Sequence, residues 1–213
     1  MHKTLAGTGL TLLLLSSTAT AEGMAGISLG QALYDDEALA TFAANAGGPS
    51  TSYKIFGGMA IGSHLSAHAG LFSLGKRSGK TLETYLIDTG NGTTETGTYT
   101  TSSARIEIDG FFLEGRWQWR AGSAWRPYIK LGGALVNSKT DTFIAGTGYT
   151  MVAGEVTHSS FSLVPGLGLV WESLHHWGLQ LEAESYQKVK SAETSGIPDQ
   201  NITNINLGIY GYW

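Results

Sequence analysis

The chain has 213 residues and a formal net charge of −4 at pH 7, with His counted as neutral. Charged residues make up only 14 % of the sequence, against about 25 % in a typical soluble domain, and 30 residues are glycine. This mild acidity argues against a nucleic-acid partner, because nucleic-acid-binding surfaces are basic, and the absence of cysteine excludes disulfides and thiolate metal sites.

Residues 1–21 have the three parts of a secretory signal peptide. Lys3 is a basic residue near the N-terminus, an apolar run follows from Leu10 to Leu15, and small residues lead to Ala21. We expect cleavage before Glu22, which leaves 22–213 as a single mature domain. The apolar run is shorter than the about 20 residues of a transmembrane helix, and no other run reaches that length. A mature chain in a membrane must then be a closed barrel, because only helices and closed barrels satisfy all backbone groups in hydrocarbon.

Eight segments of the mature chain alternate between apolar and small or polar residues with a period of two. In the first, Met24–Tyr34, one face carries Ile27, Leu29 and Leu33, and the other consists of Gly, Ser and Ala. The others are 51–61, 65–74, 104–119, 128–136, 161–172, 178–186 and 201–213. Apolar-out, polar-in alternation is typical of transmembrane β-strands. The sequence therefore predicts an all-β fold, an eight-stranded antiparallel up-and-down transmembrane β-barrel.

The connections between these segments alternate in length. Short turns follow Ile61, Trp119 and Glu172. The long polar connections are 35–49, 75–103, 137–157 and 188–200. In outer-membrane barrels short turns and both termini are periplasmic, and long loops are extracellular. Threonine and tyrosine favour β-structure, so we expect part of 75–103 to extend as a hairpin beyond the membrane.

Tryptophan residues flank two of the short turns. They are Trp119, Trp125, Trp171 and Trp177. Aromatic residues concentrate at both interfaces of a membrane barrel. We expect these four to belong to an interfacial aromatic girdle.

Charged residues of the strands share the face that carries Gly and Ser. In the segment 104–119 the charges decide which face is outward. Exposing Glu114 to lipid costs more free energy than exposing Gly115 to lipid, so Glu114 is predicted to face the lumen. The predicted lumen residues are Lys54, His68, Glu114, Arg116, Lys130, Glu182 and Glu184. Since isolated buried charge is costly, we expect the lysines and the arginine to pair with the glutamates. Such a lumen is either a packed structural plug, which we favour, or a small gated pore.

Several segments resemble the transmembrane domain of OmpA-like outer-membrane proteins. They are Ala25–Gly30, Tyr53–Gly58, Arg126–Gly132, Val164–Gly168, Leu179–Glu184 and Asn206–Trp213. The resemblance implies a barrel in the outer membrane of a Gram-negative bacterium, in contact with outer-membrane lipid and lipopolysaccharide. Related barrels often have an acid on the third strand and Arg on the seventh, where this chain has His68 and Gln180. Larger members continue into a peptidoglycan-binding domain, whereas this sequence ends at Trp213, so we expect a barrel without that domain.

The resemblance also implies that the barrel-assembly machinery recognises the C-terminal strand. The predicted assembly signal is the apolar row Ile205, Leu207 and Ile209 together with the terminal Trp213. The family commonly has Tyr two residues before the end, where this chain has Gly211.

Catalytic and metal sites find little support in the sequence. His158-Ser159-Ser160 loosely resembles the His-x-Ser of lipid A deacylases, with Glu172 as the third member. On one strand, however, Ser160 and Glu172 would lie about 40 Å apart, so no triad forms. His175 and His176 are adjacent, their side chains diverge, and no third ligand is near in sequence. We expect no enzyme activity, metal or cofactor.

These observations predict an integral outer-membrane protein with a structural, envelope-integrity role. Three alternatives remain: a surface adhesin that binds host or matrix through 75–103, a small gated pore and, less favoured, a lipid A acyl hydrolase. The long polar segments are the part of the chain that an extracellular partner would meet.

The assembly signal leads to a first prediction. Trp213→Asp places a charge at the end of the strand that the assembly machinery reads, so we expect less of the protein in outer-membrane fractions. Immunoblotting of fractionated cells measures this, and insertion at the wild-type level would contradict the role of Trp213.

Overall fold

A computed structural model describes residues 22–34, 49–88, 94–119, 124–146, 149–172, 176–190 and 199–213. Its eight strands are β1 (Gly23–Tyr34), β2 (Ser50–Ala60), β3 (Leu65–Asp88), β4 (Thr94–Gln118), β5 (Trp125–Gly146), β6 (Tyr149–Glu172), β7 (Trp177–Val189) and β8 (Gln200–Tyr212). Every strand pairs antiparallel with its neighbours in sequence, and β1 pairs with β8 to close the barrel. The predicted eight-stranded antiparallel barrel is confirmed. The predicted signal peptide, residues 1–21, lies outside the described residues.

No helix in the described ranges is long and apolar enough to cross a membrane.

The alternation predicted from the sequence separates an apolar outer surface from a filled interior. On β8, Leu207 is 62 % exposed, whereas the adjacent Asn206 is fully buried. Large apolar side chains face outward on all eight strands. They include Ile27, Ile55, Leu71, Leu113, Leu131, Leu167, Leu181 and Leu207. Such a continuous apolar outer surface suits hydrocarbon rather than water.

The two chain ends meet at the seam that closes the barrel. The β1–β8 register runs from Met24 opposite Tyr212 to Tyr34 opposite Ile202. Beyond it, Gly23 N–H donates to the Trp213 carbonyl at 2.9 Å, and Trp213 N–H donates to the Gly23 carbonyl at 3.0 Å. The Trp213 indole lies over Gly23, where an added Cβ would come within 2.8 Å of the ring. The terminal Trp therefore ties the seam at the end where the short turns lie.

Two of the long connections are largely strand rather than loop. The β3–β4 ladder continues through 75–103 to Asp88 opposite Thr94, which is longer than the partial hairpin that we expected. The expectation of a loop over 137–157 is wrong, because β5 and β6 stay paired up to Gly146 opposite Tyr149. Pairing of Ser102 with Ile144 joins the two hairpins. Strands β3 to β6 thus form a four-stranded sheet that extends past the barrel.

A bulge at Gly75 changes which side chains of β3 face inward. Gly75 has φ of 79°, and the register with β4 shifts between Ser73 and Gly75. A left-handed glycine at a shifted register is typical of a β-bulge. Beyond it Lys76 is exposed and Arg77 is buried, the reverse of strict alternation from Phe72.

The register leads to a prediction about two glycines. A Cβ on Gly70 would lie 2.1 Å from the Ile55 carbonyl oxygen of β2, whereas a Cβ on Gly115 would meet nothing within 4 Å. We expect Gly70→Ala to lower the free energy of unfolding by about 1–3 kcal/mol, since an overpacked site must distort. Urea unfolding in detergent measures the effect, and Gly115→Ala is the matched control, with an expected change within about 0.5 kcal/mol. Equal effects of the two substitutions would contradict the register.

Candidate functional site

Six charged side chains meet in the middle of the lumen, and we call them the ion cluster. They are Lys54 of β2, Glu114 and Arg116 of β4, Lys130 of β5, and Glu182 and Glu184 of β7. The side chains are at most 5 % exposed. Three carboxylates face three cations, so the formal charge of the cluster is zero. This balance matters because a net charge in so enclosed a space would be strongly destabilising.

Each lysine of the ion cluster contacts all three carboxylates. Lys54 Nζ lies 2.9 Å from both Glu182 Oε1 and Glu184 Oε2, and 3.9 Å from Glu114 Oε2. Lys130 Nζ lies 2.8 Å from Glu114 Oε2 and 2.9 Å from Glu182 Oε1, and it also pairs with Glu184. The lysines thereby link β2, β4, β5 and β7 across the barrel.

Arg116 joins the cluster to the short-turn side of the lumen. Its Nε donates to Glu114 Oε1 at 2.9 Å, and its Nη2 donates to Glu182 Oε2 at 3.1 Å. Its Nη1 donates to Gln180 Oε1 at 2.9 Å. The guanidinium carbon also lies 4.9 Å from the centroid of the Tyr128 ring. Arg116 is consequently held on several sides, as a planar fork of donors allows.

The neutral polar partners of the cluster were absent from the predicted lumen set. Asn204 and Asn206 of β8 donate to Glu184 Oε1 at 2.9 and 3.1 Å, and the Tyr186 hydroxyl donates to the same oxygen at 3.1 Å. The Tyr128 hydroxyl donates to Glu182 Oε2 at 2.8 Å. All four residues are on inward phases that the alternation identifies. The sequence therefore shows that these four side chains face inward. Which carboxylate each one contacts depends on the register between strands.

His68 is buried close to the ion cluster but is not hydrogen-bonded to it. Its Nε2 lies 2.9 Å from Ser66 Oγ, and its Nδ1 has no hydrogen-bond partner among the described residues. It is opposite Glu114 in the β3–β4 register. The structure thus brings six of the seven predicted lumen residues into one network and places His68 on the short-turn side of it.

Beyond the cluster, toward the extended hairpins, many buried side chains of the lumen are apolar, and Ser138, Thr140 and Gln200 are buried among them. We define the loop-side apolar layer as Leu74, Ile106, Ile108, Val136, Val189 and Ile202, each at most 2 % exposed. Aromatic rings lie between this layer and the cluster: Phe72 and Tyr186 have centroids 4.8 Å apart, and Lys54 Nζ lies 4.3 Å from the Phe112 centroid. We did not predict this layer from the sequence.

The four tryptophans proposed as interfacial aromatics surround the short turns. Trp119 and Trp125 are about half exposed, and Trp177 is exposed as well. The Trp171 ring contacts Trp125 at 6.4 Å and Trp177 at 5.1 Å between centroids. Trp125, Trp171 and Trp177 thus form a cluster next to the apolar face of the strands.

The residues considered for catalysis do not come together. His158, Ser160 and Glu172 all lie on β6, and twelve residues of that strand separate Glu172 from Ser160. Glu172 instead forms an ion pair with Arg126 and accepts a hydrogen bond from the Tyr210 hydroxyl at 3.3 Å. His175 lies outside the described residues. Within the described ranges no three His, Asp or Glu side chains are grouped as metal ligands.

A sequence profile for the OmpA-like transmembrane domain matches residues 18–211. The chain belongs to this family. The protein is accordingly an outer-membrane β-barrel of the Gram-negative type, as the resemblance of its strand motifs implied. A search among curated proteins found no match to the sequence.

Solved structures of small outer-membrane barrels share the fold of this OmpA-like protein. Neisserial surface protein A is 10 % identical, with a TM-score of 0.55 over 91 % of this chain and 97 % of that one. A major outer membrane protein of Thermus thermophilus is 14 % identical, with a TM-score of 0.51 over 92 % and 100 %. Ail, the attachment invasion locus protein of Yersinia pestis, is 12 % identical, with a TM-score of 0.50 over 91 % and 99 %. At these identities the likeness shows a common architecture.

The ion cluster leads to a prediction of stability. Lys54→Met leaves Glu182 and Glu184 with less compensating charge, so we expect a loss of about 3–5 kcal/mol in the free energy of unfolding. Urea unfolding in detergent measures this loss. The double variant Lys54→Met/Glu184→Gln restores the charge balance and should recover part of it.

Lys76→Met is the matched control for Lys54→Met. Lys76 pairs with Glu107 at 3.0 Å, but its side chain is 52 % exposed. Removal of an exposed pair changes stability by about 0–1 kcal/mol. A loss at Lys54 no larger than that at Lys76 would show that the cluster is not tightly coupled.

Proposed function

We propose that this protein is a structural component of the outer membrane that supports envelope integrity and does not conduct. The observation that carries the proposal is the filled lumen. Paired charges cross the barrel from β2 to β7, and the loop-side apolar layer lies beyond them. Eight strands enclose an interior just wide enough to be filled by side chains. The apolar outer surface anchors the barrel, while the interior keeps it closed and stiff.

A small gated pore is the alternative for the same lumen. It would require Lys54, Lys130 and their carboxylate partners to separate, although each lysine contacts three carboxylates. It would also require water to pass the apolar layer, in which Ile202 and Val136 are fully buried. An ion would therefore have to pass both the ion cluster and the apolar layer, which favours a closed, structural barrel.

Planar-bilayer recordings distinguish these two functions. We expect no discrete current steps from the purified, folded protein, because the ion cluster and the apolar layer both block the lumen. A 16-stranded porin, whose lumen is an aqueous channel, is the positive control. Reproducible unit conductances from heat-modifiable, folded protein would contradict the closed lumen.

The ends of the barrel fit a periplasmic short-turn side and an extracellular hairpin side, as in other outer-membrane barrels. Above the apolar belt on the hairpin side, charged residues of the outer face form pairs: Lys76 with Glu107 at 3.0 Å and Lys139 with Glu155 at 3.8 Å. Charged groups at this level suit the polar headgroups of lipopolysaccharide. The apolar row of β8 and Trp213 stay exposed at the opposite end, which suits recognition by the assembly machinery.

Surface adhesion is a second function that a specific observation favours. The sheet of β3 to β6 extends past the barrel, and its outer strands have edges that no described strand covers. Among the described residues β2 pairs with β3 only as far as Ser73, and β7 pairs with β6 only as far as Leu163. An uncovered edge can accept a strand of a partner protein. By its name Ail is an attachment protein, and one of its structures contains a heparin analogue.

Shortening one hairpin tests adhesion. Leu82 pairs with Thr100, so replacement of residues 83–99 by Asn-Gly removes the projecting part of β3 and β4 and keeps a two-residue turn. If this hairpin is the adhesin, bacteria that express the variant will bind less to epithelial cells or heparin-coated surfaces than those with the wild type.

The β5–β6 hairpin offers the matched control. Thr142 pairs with Ala153, so replacement of 143–152 by Asn-Gly shortens that hairpin in the same way. Unchanged adhesion in the first variant, or an equal loss in both, would reject an adhesin function specific to β3 and β4.

A lipid A acyl hydrolase has the weakest support. Ser160 and Glu172 are twelve residues apart on β6, which is about 40 Å along an extended strand. Hydrolysis by a serine nucleophile requires a base within hydrogen-bonding distance. We infer that the protein is not an enzyme of this class.

A further inference from the structure

The ladder between β6 and β7 is interrupted in the part of the barrel that faces lipid. From the short turns the pairing runs along β6 from Glu172 to Gly166, and it resumes only at Leu163. The interruption lies at Pro165, which has no N–H to donate. Strand β7 pairs with β8 without a gap at this level. The interruption is therefore confined to the seam between β6 and β7.

The missing donor leaves one backbone carbonyl of β7 without its ladder partner. Glu172 N–H donates to the Ala124 carbonyl at 3.1 Å, on the β5 side of β6. Because neighbouring residues of an antiparallel strand turn their N–H groups to opposite sides, the odd-numbered residues of β6 face β7. Position 165 is opposite Ser185, since Gly166 pairs with Glu184. With proline at this position, the Ser185 carbonyl receives no ladder hydrogen bond from β6.

The outer face of the barrel changes from apolar to polar at the same seam. On β6 the outward side chains are apolar as far as Leu163 and Phe161, and both are exposed. On β7 the outward residues next to them are Ser185, which is half-buried, and Gln187, which is exposed and opposite Leu163. On β8 the exposed Thr203 is opposite Ser185. We call the side chains of Ser185, Gln187 and Thr203, together with the Ser185 carbonyl, the polar notch.

The polar notch lies in the half of the apolar belt that is nearer the extended hairpins. Ser185 is eight residues beyond Trp177, which begins β7 next to the short turns, and this is about 26 Å along a strand. A strand tilt of about 40° reduces it to about 20 Å, in an apolar band about 25 Å tall. The notch is therefore level with the boundary between acyl chains and headgroups. Because we place the hairpins outside the cell, that boundary belongs to the outer leaflet.

We propose that the polar notch binds a glycolipid of the outer leaflet, whose sugar hydroxyl and amide N–H groups form hydrogen bonds with the Ser185 carbonyl and the notch side chains. A backbone carbonyl without a donor in hydrocarbon is costly, so the notch requires a donor at this depth. The ester-linked acyl chains of a phospholipid supply acceptors alone at this depth, whereas an acylated amino sugar supplies donors as well. The neutral hydroxyl and amide side chains of the notch suit a sugar rather than a phosphate. This inference rests on the extracellular hairpin side proposed above.

Lipid binding to the detergent-folded barrel tests this inference. The probe is purified lipid A, an acylated glucosamine disaccharide, and the comparison lipid is dioleoylphosphatidic acid, which is anionic and has no sugar. Native mass spectrometry gives the dissociation constants. We expect Ser185→Leu/Thr203→Leu to weaken lipid A binding at least about fivefold, because two hydrogen-bonding side chains are lost. The matched control, Thr157→Leu/Ser159→Leu, makes the same kind of change at exposed positions of β6 and should alter binding by less than about twofold.

Pro165→Ala distinguishes lipid binding from a purely structural effect. Alanine restores the N–H that the Ser185 carbonyl lacks, so we expect a higher urea midpoint of unfolding together with at least about threefold weaker lipid A binding. Unchanged lipid A binding in this variant would overturn the role of the carbonyl. Heat-modifiable migration verifies the folding of every variant.

Three other results would overturn the glycolipid site. They are wild-type lipid A affinity in Ser185→Leu/Thr203→Leu, an equal loss in the control variant, and phosphatidic acid bound by the wild type as tightly as lipid A. Each of them can occur in a barrel that does not conduct. The glycolipid site can therefore fail while the proposed structural role holds, and bilayer recordings can contradict the closed lumen while lipid A still binds.

Discussion

This structure depends on one constraint: every backbone N–H and C=O group in the membrane must form a hydrogen bond without help from water. Hydrocarbon offers no partner to an open strand edge, so the ladder must close on itself. Here it closes between β1 and β8, and the reciprocal hydrogen bonds of Gly23 and Trp213 end the seam. Closure with eight strands fixes a narrow interior. The other features of the molecule follow from the need to fill that interior.

Small residues on the inward phases make room for long ones. A Cβ on Gly166 would lie 2.6 Å from Lys130 Cε, and one on Gly168 would lie 2.4 Å from the Tyr128 hydroxyl. The high glycine content is therefore the complement of a few large inward side chains. Because lipid excludes charge from the outer face, the charges gather inside, and three of each sign in contact form a plug. A structural role in the outer membrane is consistent with an interior used for cohesion rather than for passage.

Much of this arrangement was predictable from the alternation alone. The phase of β4 follows from the cost of turning Glu114 to lipid, and β8 shows its two faces without ambiguity. The extended hairpins were harder to predict from the sequence, because strands outside the membrane lack the apolar face that identifies a strand in lipid. The bulge at Gly75 exchanges the inward and outward faces of β3. A periodic pattern of apolar residues cannot predict such an exchange. Hydrogen bonds such as Asn204 to Glu184 depend on inter-strand register, and the apolar layer depends on residues from five strands meeting in the lumen.

One face of each strand meets lipid while the other is sealed inside, and spin labelling of β8 tests this arrangement most directly. Nitroxides placed one at a time at residues 204–209, in protein reconstituted into lipid, report collisions with oxygen, which concentrates in hydrocarbon. We expect oxygen accessibility to alternate with a period of two: high at Ile205, Leu207 and Ile209, and low at Asn204, Asn206 and Gly208. Uniform accessibility along the strand, or the opposite phase, would contradict it.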